Sequence, residues 1–303
     1  MDLSFTSLGF ASALPTVDRF PSAHILKVCG RLFLIDCGEG AQIQMKKFGI
    51  SMLKIDEIFI SHLHGDHIFG IFGLLSTMSM LNRKSDITIF APADFKSILD
   101  FFMNNFGEDI GYKIIHHVVS CTKIEEVFSN KNIVVKAFPL KHRIETFGYL
   151  FQQKEHNRNM IKEKINEYKI SIDEINLLKS KNNVIRKDGT ILEWKDVTYE
   201  RFQAKSFAYC SDTRPFPELC NWISGVNLLY HESTYTDDMK DKAYERFHST
   251  AADAAICAKK AGADKLLLGH FSSRYQDLNV FEKEARAIFT ESYITEAGRE
   301  YEI

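Results

Sequence analysis

The segment Ser61-His62-Leu63-His64-Gly65-Asp66-His67 constrains the fold of this chain more than any other. It follows Ile58-Phe59-Ile60, which has the character of a buried strand, and it precedes residues 68–81, apolar over helical length. In an extended loop, positions 62, 64 and 66 face one way because the side-chain period is two, and His67 then turns in at the helix start. Imidazole and carboxylate are ligands that zinc favours. Four such groups between positions 62 and 67 exceed what one ion with an open coordination position requires. The spacing therefore implies two ions, His62 and His64 on one, Asp66 and His67 on the other, with Gly65 permitting the tight loop. Any fold that serves this motif must bring further ligands to the same strand end.

Three residues qualify. His142 lies just past an apolar strand pattern at 133–138, Asp212 follows Phe207-Ala208-Tyr209-Cys210-Ser211, and His270 closes Leu266-Leu267-Leu268-Gly269. Each sits at the carboxyl end of a strand, where open α/β folds collect functional groups. A carboxylate can bridge two ions about 3.5–4 Å apart, which makes Asp212 the natural shared ligand.

The remaining pattern is α/β. Residues 3–8, 23–28, 32–35, 55–61, 87–90, 112–119, 124–127 and 133–138 read as strands, and 41–48, 68–81 and 94–106 as helices. The alternation resumes after position 205 with strands at 206–210, 226–230 and 265–268 and helices at 250–261 and 278–290. Alternation on both sides of one insertion predicts a four-layer αββα sandwich, with residues 1–150 and 206–303 forming the catalytic domain. The segment 151–205 differs in character, with helices expected at 157–168 and 171–179 and a hairpin at 183–192 turning at Lys187-Asp188-Gly189. It holds 12 Lys+Arg and 9 Asp+Glu, a local charge of +3 against −2 for the whole chain of 303 residues, so the remainder sums to −5. On composition alone it is an ordinary solvated insertion.

The near balance of 38 basic and 40 acidic residues argues against a tail-mediated nucleic-acid binder but not against a nucleic-acid enzyme, because net charge does not say where charges sit. No run of 18 apolar residues is present and the first residues lack a basic, apolar leader, so neither a membrane span nor a signal peptide is expected. Six cysteines without a C-x-x-C pair read as buried residues in a reducing cytoplasm.

With these motifs in order, the chain resembles the metallo-β-lactamase superfamily and, within it, the RNase Z family of tRNA 3′-end endonucleases. The resemblance is carried by Leu8-Gly9-Phe10-Ala11-Ser12-Ala13-Leu14-Pro15-Thr16, Phe33-Leu34-Ile35-Asp36-Cys37-Gly38-Glu39-Gly40 and the histidine motif. It continues through Lys141-His142-Arg143, Ser211-Asp212-Thr213-Arg214, His231-Glu232-Ser233-Thr234, Phe247-His248-Ser249-Thr250 and Gly269-His270-Phe271-Ser272-Ser273-Arg274-Tyr275. It implies two Zn²⁺ per subunit bridged by Asp212 and a water or hydroxide, with His62, His64 and His142 on one ion and Asp66, His67 and His270 on the other. It further implies Asp66 as proton acceptor, His248 as a catalytic group near the scissile phosphate, a homodimer, and cleavage of precursor tRNA after the discriminator base. The insertion lies where this family carries a protruding tRNA-gripping arm, and Lys179, Lys181, Arg186 and Lys187 are its substrate-binding candidates. Three departures stand out: Ser171-Ile172-Asp173-Glu174 replaces a Gly-Pro-rich tip, Phe10 stands where the opening loop often has Thr, and Pro21-Ser22-Ala23-His24 occupies the segment that usually carries an Arg-Asn pair.

Two other readings stay open at this level. A superfamily relative acting on another phosphodiester, a thioester or a lactone would share the metal motif. A catalytically inert RNA-binding module would share the insertion, although all seven ligand candidates are present.

Overall fold

Strands buried on both faces must send alternate side chains into two different cores. That is how the apolar residues of this chain divide in a computed structural model that describes residues 2–155 and 157–303. The chain forms two compact units, Met1–Gln152 with Lys205–Ile303, and Gln153–Ala204.

The larger unit holds two seven-stranded sheets. The first runs, in spatial order, Glu300–Glu302, Leu3–Gly9, Ala23–Val28, Arg31–Cys37, Ile55–Phe59, Ile87–Ala91 and Ile114–Val118. The second runs Ser292–Ile294, Lys265–Gly269, Leu228–Glu232, Ser206–Cys210, Phe147–Gln153, Ile133–Pro139 and Glu125–Ser129. Leu34 and Ile58 point away from the other sheet, toward Leu74, Leu75 and Leu99 of the helices Ile71–Met80 and Phe95–Phe106. Their neighbours Phe33, Ile35 and Phe59 point the opposite way, into a core shared with Tyr149, Phe151, Phe207 and Tyr209 of the second sheet. Ala208, Leu229 and Leu268 of that second sheet pack under Ala254 and Ala258 of the helix Ala251–Ala261 and under Phe281 of the helix Asn279–Arg286. Three apolar layers between four structural layers make the αββα sandwich.

The sheet-to-sheet layer is unusually aromatic. Phe59 lies against Phe90, Tyr149 and Phe151 with ring centroids 4.6, 5.3 and 5.3 Å away. Rings at these separations add about 0.5–1.5 kcal/mol per pair beyond their buried area.

The larger differences from the sequence-based expectation are local. Residues 147–153 form a strand that the pattern did not announce, because six of its seven residues are buried and no alternation is visible. It pairs antiparallel with the strand 206–210, placing Gln152 opposite Ser206, so the strands entering and leaving the insertion are neighbours. The expected 68–81 helix is broken into Gly65–Ile68 and Ile71–Met80. The helix at 250–261 begins as the motif demands, with Thr250 and Asp253 exchanging capping-box hydrogen bonds.

Within Gln153–Ala204, the expected 157–168 helix starts later. Asn159–Met160 is a short strand paired with Thr198–Tyr199, and only Lys162–Glu167 is helical. The hairpin forms as expected, Val184–Ile185 with Ile191–Leu192. Ser171 and Glu174 make a capping box on the helix Ile172–Lys179. Ile170, Leu178, Val184, Leu192 and Val197 supply a small core of this unit's own.

Phe59→Ala should cost about 3–5 kcal/mol, the usual loss for a buried aromatic that leaves a cavity. A guanidinium unfolding midpoint unchanged from the parent protein would contradict the central role given to this layer.

Candidate metal centre

The first-sheet strand Ile55–Phe59 delivers the histidine motif, and the parallel strands Ser206–Cys210, Leu228–Glu232 and Lys265–Gly269 deliver Asp212, Glu232 and His270 at one common edge. His142 arrives from the turn after Ile133–Pro139, which is tied to the Asp212 loop by Lys141 N–H to Thr213 Oγ1 at 3.0 Å and Arg214 N–H to the Lys141 carbonyl at 3.0 Å. Backbone packing under the motif is tight. Gly70 donates to the Cys37 carbonyl at 2.9 Å, and a Cβ on Gly70 would fall 2.1 Å from the Gly38 oxygen.

All seven predicted ligands converge. His62 Nε2 and His142 Nε2 lie 3.0 and 3.3 Å from His64 Nδ1, and both are near Asp212 Oδ2, at 3.6 and 3.7 Å. The other Asp212 oxygen, Oδ1, faces His67 Nε2 at 3.5 Å and His270 Nε2 at 3.2 Å, and Asp66 Oδ2 lies 3.5 Å from each of those nitrogens. Asp212 thus presents one oxygen to each of two donor groups. His62, His64, His142 and Asp212 form one group able to hold a metal ion, and Asp66, His67 and His270 another.

Several of these atoms have no other use. Among the described residues, His67 Nε2, His270 Nε2 and Asp212 Oδ1 are buried without a hydrogen-bond partner. Each such atom costs about 1–3 kcal/mol when left unpaired, and three of them aimed at one point fit a cation. Charge agrees with this. Burial holds His62, His64 and His142 below the ordinary imidazole range, which leaves them neutral and able to donate a lone pair. Burial opposes charge on His67 as well, yet Asp66, Asp36 and Asp212 together push it up to about 10. The carboxylates around it demand positive charge.

A second layer orients these groups. Asp36, fully buried at the end of its strand, accepts from Ser61 N–H at 2.7 Å, Ser61 Oγ at 2.9 Å and Tyr209 OH at 2.6 Å, and bonds His67 Nδ1 at 2.7 Å. That last bond places the Nδ1 proton and leaves His67 Nε2 for the centre. His142 Nδ1 is held by the Phe247 carbonyl at 3.1 Å and His270 Nδ1 by Thr234 Oγ1 at 3.0 Å, with the same effect. Ala13 N–H donates to Asp66 Oδ2 at 2.8 Å, which brings the opening loop onto the motif.

His248 stands on the flank. Its ring packs against His270 with centroids 5.6 Å apart, and its Nδ1 lies 3.0 Å from Glu232 Oε1 and 4.0 Å from Asp212 Oδ2. Burial works against its charge, but Glu232 and then Asp212 raise it to about 9. Glu232 is itself saturated, with Thr213 N–H and Ser249 N–H on Oε1 and Thr234 N–H and Oγ1 on Oε2.

Comparison with known proteins places this chain in a lineage. Residues 3–159, just over half of the chain, match the family model of the Anti-Pycsar protein Apyc1. That match contains the histidine motif and His142 but ends before Asp212, His248 and His270. Ribonuclease Z of Bacteroides fragilis is 38% identical over 282 residues, 93% of each chain, and that of Cytophaga hutchinsonii is 38% identical over 302 residues, 99% of this chain and 96% of the relative. The chain belongs to the ribonuclease Z family. The fold of the human short-form tRNase Z superposes with a TM-score of 0.72 at 27% identity over 98% of each chain. The metallo-beta-lactamase fold protein YhfI of Bacillus subtilis, at 16% identity over the whole of both chains, has the same TM-score of 0.72 and shares the fold.

The ribonuclease Z resemblance read from sequence thus holds over nearly the whole chain. The sequence reading assigned no role to Asp36, Glu232, Thr234 or Tyr209. The signal for two of them was available: Asp36 and Glu232 are acids that end runs of buried apolar residues, Phe33-Leu34-Ile35 and Leu228-Leu229-Tyr230. The four insertion cations are not equivalent. Lys181 is paired with Glu155 at 2.5 Å and Arg186 with Glu174 at 2.7 Å, whereas Lys179 and Lys187 make no ion pair among the described residues.

Asp36→Asn keeps the shape but withdraws the carboxylate from His67. Metal affinity should fall about 10–100-fold, the usual effect of removing an orienting partner. Competition with a chromophoric chelator measures it, and an unchanged affinity would remove Asp36 from the site's design.

Proposed function

We propose that this protein is a zinc-dependent endoribonuclease that removes the 3′ trailer from precursor tRNA, cutting after the discriminator base to leave a 3′-hydroxyl on the tRNA and a 5′-phosphate on the trailer. The observation that carries this reading is the shared carboxylate: Asp212 turns one oxygen to each of two histidine-rich donor groups. That is the arrangement two-metal phosphodiester hydrolysis requires. The full-length relationship to ribonucleases Z points the same chemistry at tRNA.

His62, His64, His142 and Asp212 would hold one zinc, and Asp66, His67, His270 and Asp212 the other. When bound, the ions supply Lewis acidity, lowering the pKa of water toward about 7 and offsetting negative charge on the phosphate. The protein's own groups do the rest. Asp66, fixed by the Ala13 N–H, orients the attacking water and accepts its proton. His248, kept protonated by Glu232, stabilises charge at the scissile phosphate and returns a proton to the leaving oxygen.

The 153–204 unit serves as the tRNA-binding arm, reading shape and phosphates rather than bases. Of its four candidate cations, Lys179 and Lys187 make no ion pair among the described residues, while Lys181 and Arg186 direct part of their charge to internal partners. We also read the protein as a cytoplasmic homodimer. No helix among the described residues is long and apolar enough to cross a membrane. The groove lined by Phe72, Ile98, Phe101, Phe102 and Phe106, with Phe101 63% and Phe106 65% exposed, is an apolar face suited to a second copy.

The same donor groups would also serve a second reading, a metal-dependent hydrolase of another phosphodiester or of a thioester. Assaying precursor tRNA beside a cyclic nucleotide and a thioester separates the two. Cleavage of precursor tRNA, with the 3′ end mapped to the discriminator base, is expected, and hydrolysis of only the small substrates would replace the present reading.

Chelation of the metal, or Asp66→Ala, should abolish cleavage, and His248→Ala should lower kcat by about 10²–10⁴ with tRNA binding retained. Full activity after either treatment would sink the mechanism. Lys179→Glu with Lys187→Glu should weaken tRNA binding and flatten its salt dependence by about 0.9 per lost phosphate contact, with hydrolysis of a small phosphodiester unaffected. Equal loss on both substrates would assign those lysines to folding instead.

A further inference from the structure

Two thiols outside the metal centre face each other across a helix pair. Cys220 lies on the helix Pro217–Trp222 and Cys257 on the helix Ala251–Ala261, with Sγ atoms 3.6 Å apart. Cys257 is buried and Cys220 half-buried. Both line a cavity of about 210 Å³ with Pro215, Phe216, Leu219 and Lys260, so a small molecule can reach the sulfurs from solvent. A hydroperoxide is little larger than water, whose share of liquid volume is about 30 Å³, and fits easily.

We propose that Cys220 and Cys257 form a hydroperoxide-responsive dithiol–disulfide pair that cross-links these two helices. A disulfide needs its sulfurs about 2.05 Å apart, so the pair must close by about 1.5 Å from the observed separation. The chemistry balances with hydrogen peroxide as the named oxidant. The Cys220 sulfur attacks one peroxide oxygen; an S–O bond forms, the O–O bond breaks, and the departing hydroxide leaves as water with the thiol proton. The Cys257 sulfur then attacks the Cys220 sulfur; an S–S bond forms, the S–O bond breaks, and the second water carries away the Cys257 proton. Two thiols and one peroxide become one disulfide and two waters.

The two sulfurs are differentiated for these roles. The hydrogen bond to Cys257 and then Lys260, against burial, bring the Cys220 thiol down to about 7, while Cys257 is pushed well up by that same bond and by burial. One can attack as thiolate, and the other stays a thiol until it resolves the intermediate. The placement also matters. The two helices follow the segments bearing Thr213 and Ser249, whose N–H groups both bind the Glu232 oxygen that holds His248. Oxidation would tether the two flanks of the metal centre through one covalent bond.

The test uses the reduced, metal-loaded full chain treated with a small excess of hydrogen peroxide. Intact mass should fall by about 2 Da, recover with dithiothreitol, and peptide mapping should join Cys220 to Cys257. In Cys257→Ser, peroxide should leave a sulfenic acid on Cys220, trapped as its dimedone adduct. Undiminished alkylation of both thiols after peroxide, a bridge mapped to Cys210 instead, or no dimedone adduct in the variant would each overturn the proposal.

Discussion

The Asp36 carboxylate is the interaction on which the rest of the site depends. A carboxylate sealed in an apolar layer is tolerated only when its oxygens are fully bonded, and here the bonds come from both sheets. Ser61 and His67 belong to the motif that follows the first sheet, and Tyr209 belongs to the second. One buried carboxylate therefore fixes the distance between the sheets, the path of the motif loop and the tautomer of His67. Tyr149 adds a parallel tie, donating from the second sheet to the Ile60 carbonyl at 2.7 Å, one residue before the motif.

The topology then makes Asp212 effective. Three adjacent parallel strands end together, so Asp212, Glu232 and His270 emerge side by side without long loops. Those strands are held flat against the first sheet by aromatic packing, which resists the sub-ångström drift that would spoil a shared carboxylate. Rigidity in the core and charge at its edge are parts of one design. The formal charge of −2 hides this arrangement. Acidic groups gather where cations belong, while the basic excess sits in the 153–204 unit, a sequence segment that carries its own small core.

How much could be read beforehand follows from the range of each interaction. His62, His64, Asp66 and His67 were legible because loop and helix periodicity alone aim them together. His142, Asp212 and His270 were legible because each ends an apolar strand. The strand 147–153 was not, since burial on both faces erases the alternation that marks a strand. The start of the expected 157–168 helix was overridden by pairing of Asn159–Met160 with Thr198–Tyr199, a contact nearly forty residues away that no local propensity encodes.

The sequence by itself determined the chemistry available: which side chains could bind metal, that strands and helices alternate around one insertion, and that the whole resembles ribonuclease Z. Only the tertiary structure decided which Asp212 oxygen serves which group, that Asp36 and Glu232 govern the proton positions on His67 and His248, and that Lys181 and Arg186 are already engaged. The physical reason is that ligand identity is a local property of the chain, whereas orientation and pairing depend on atoms brought together from distant positions by packing.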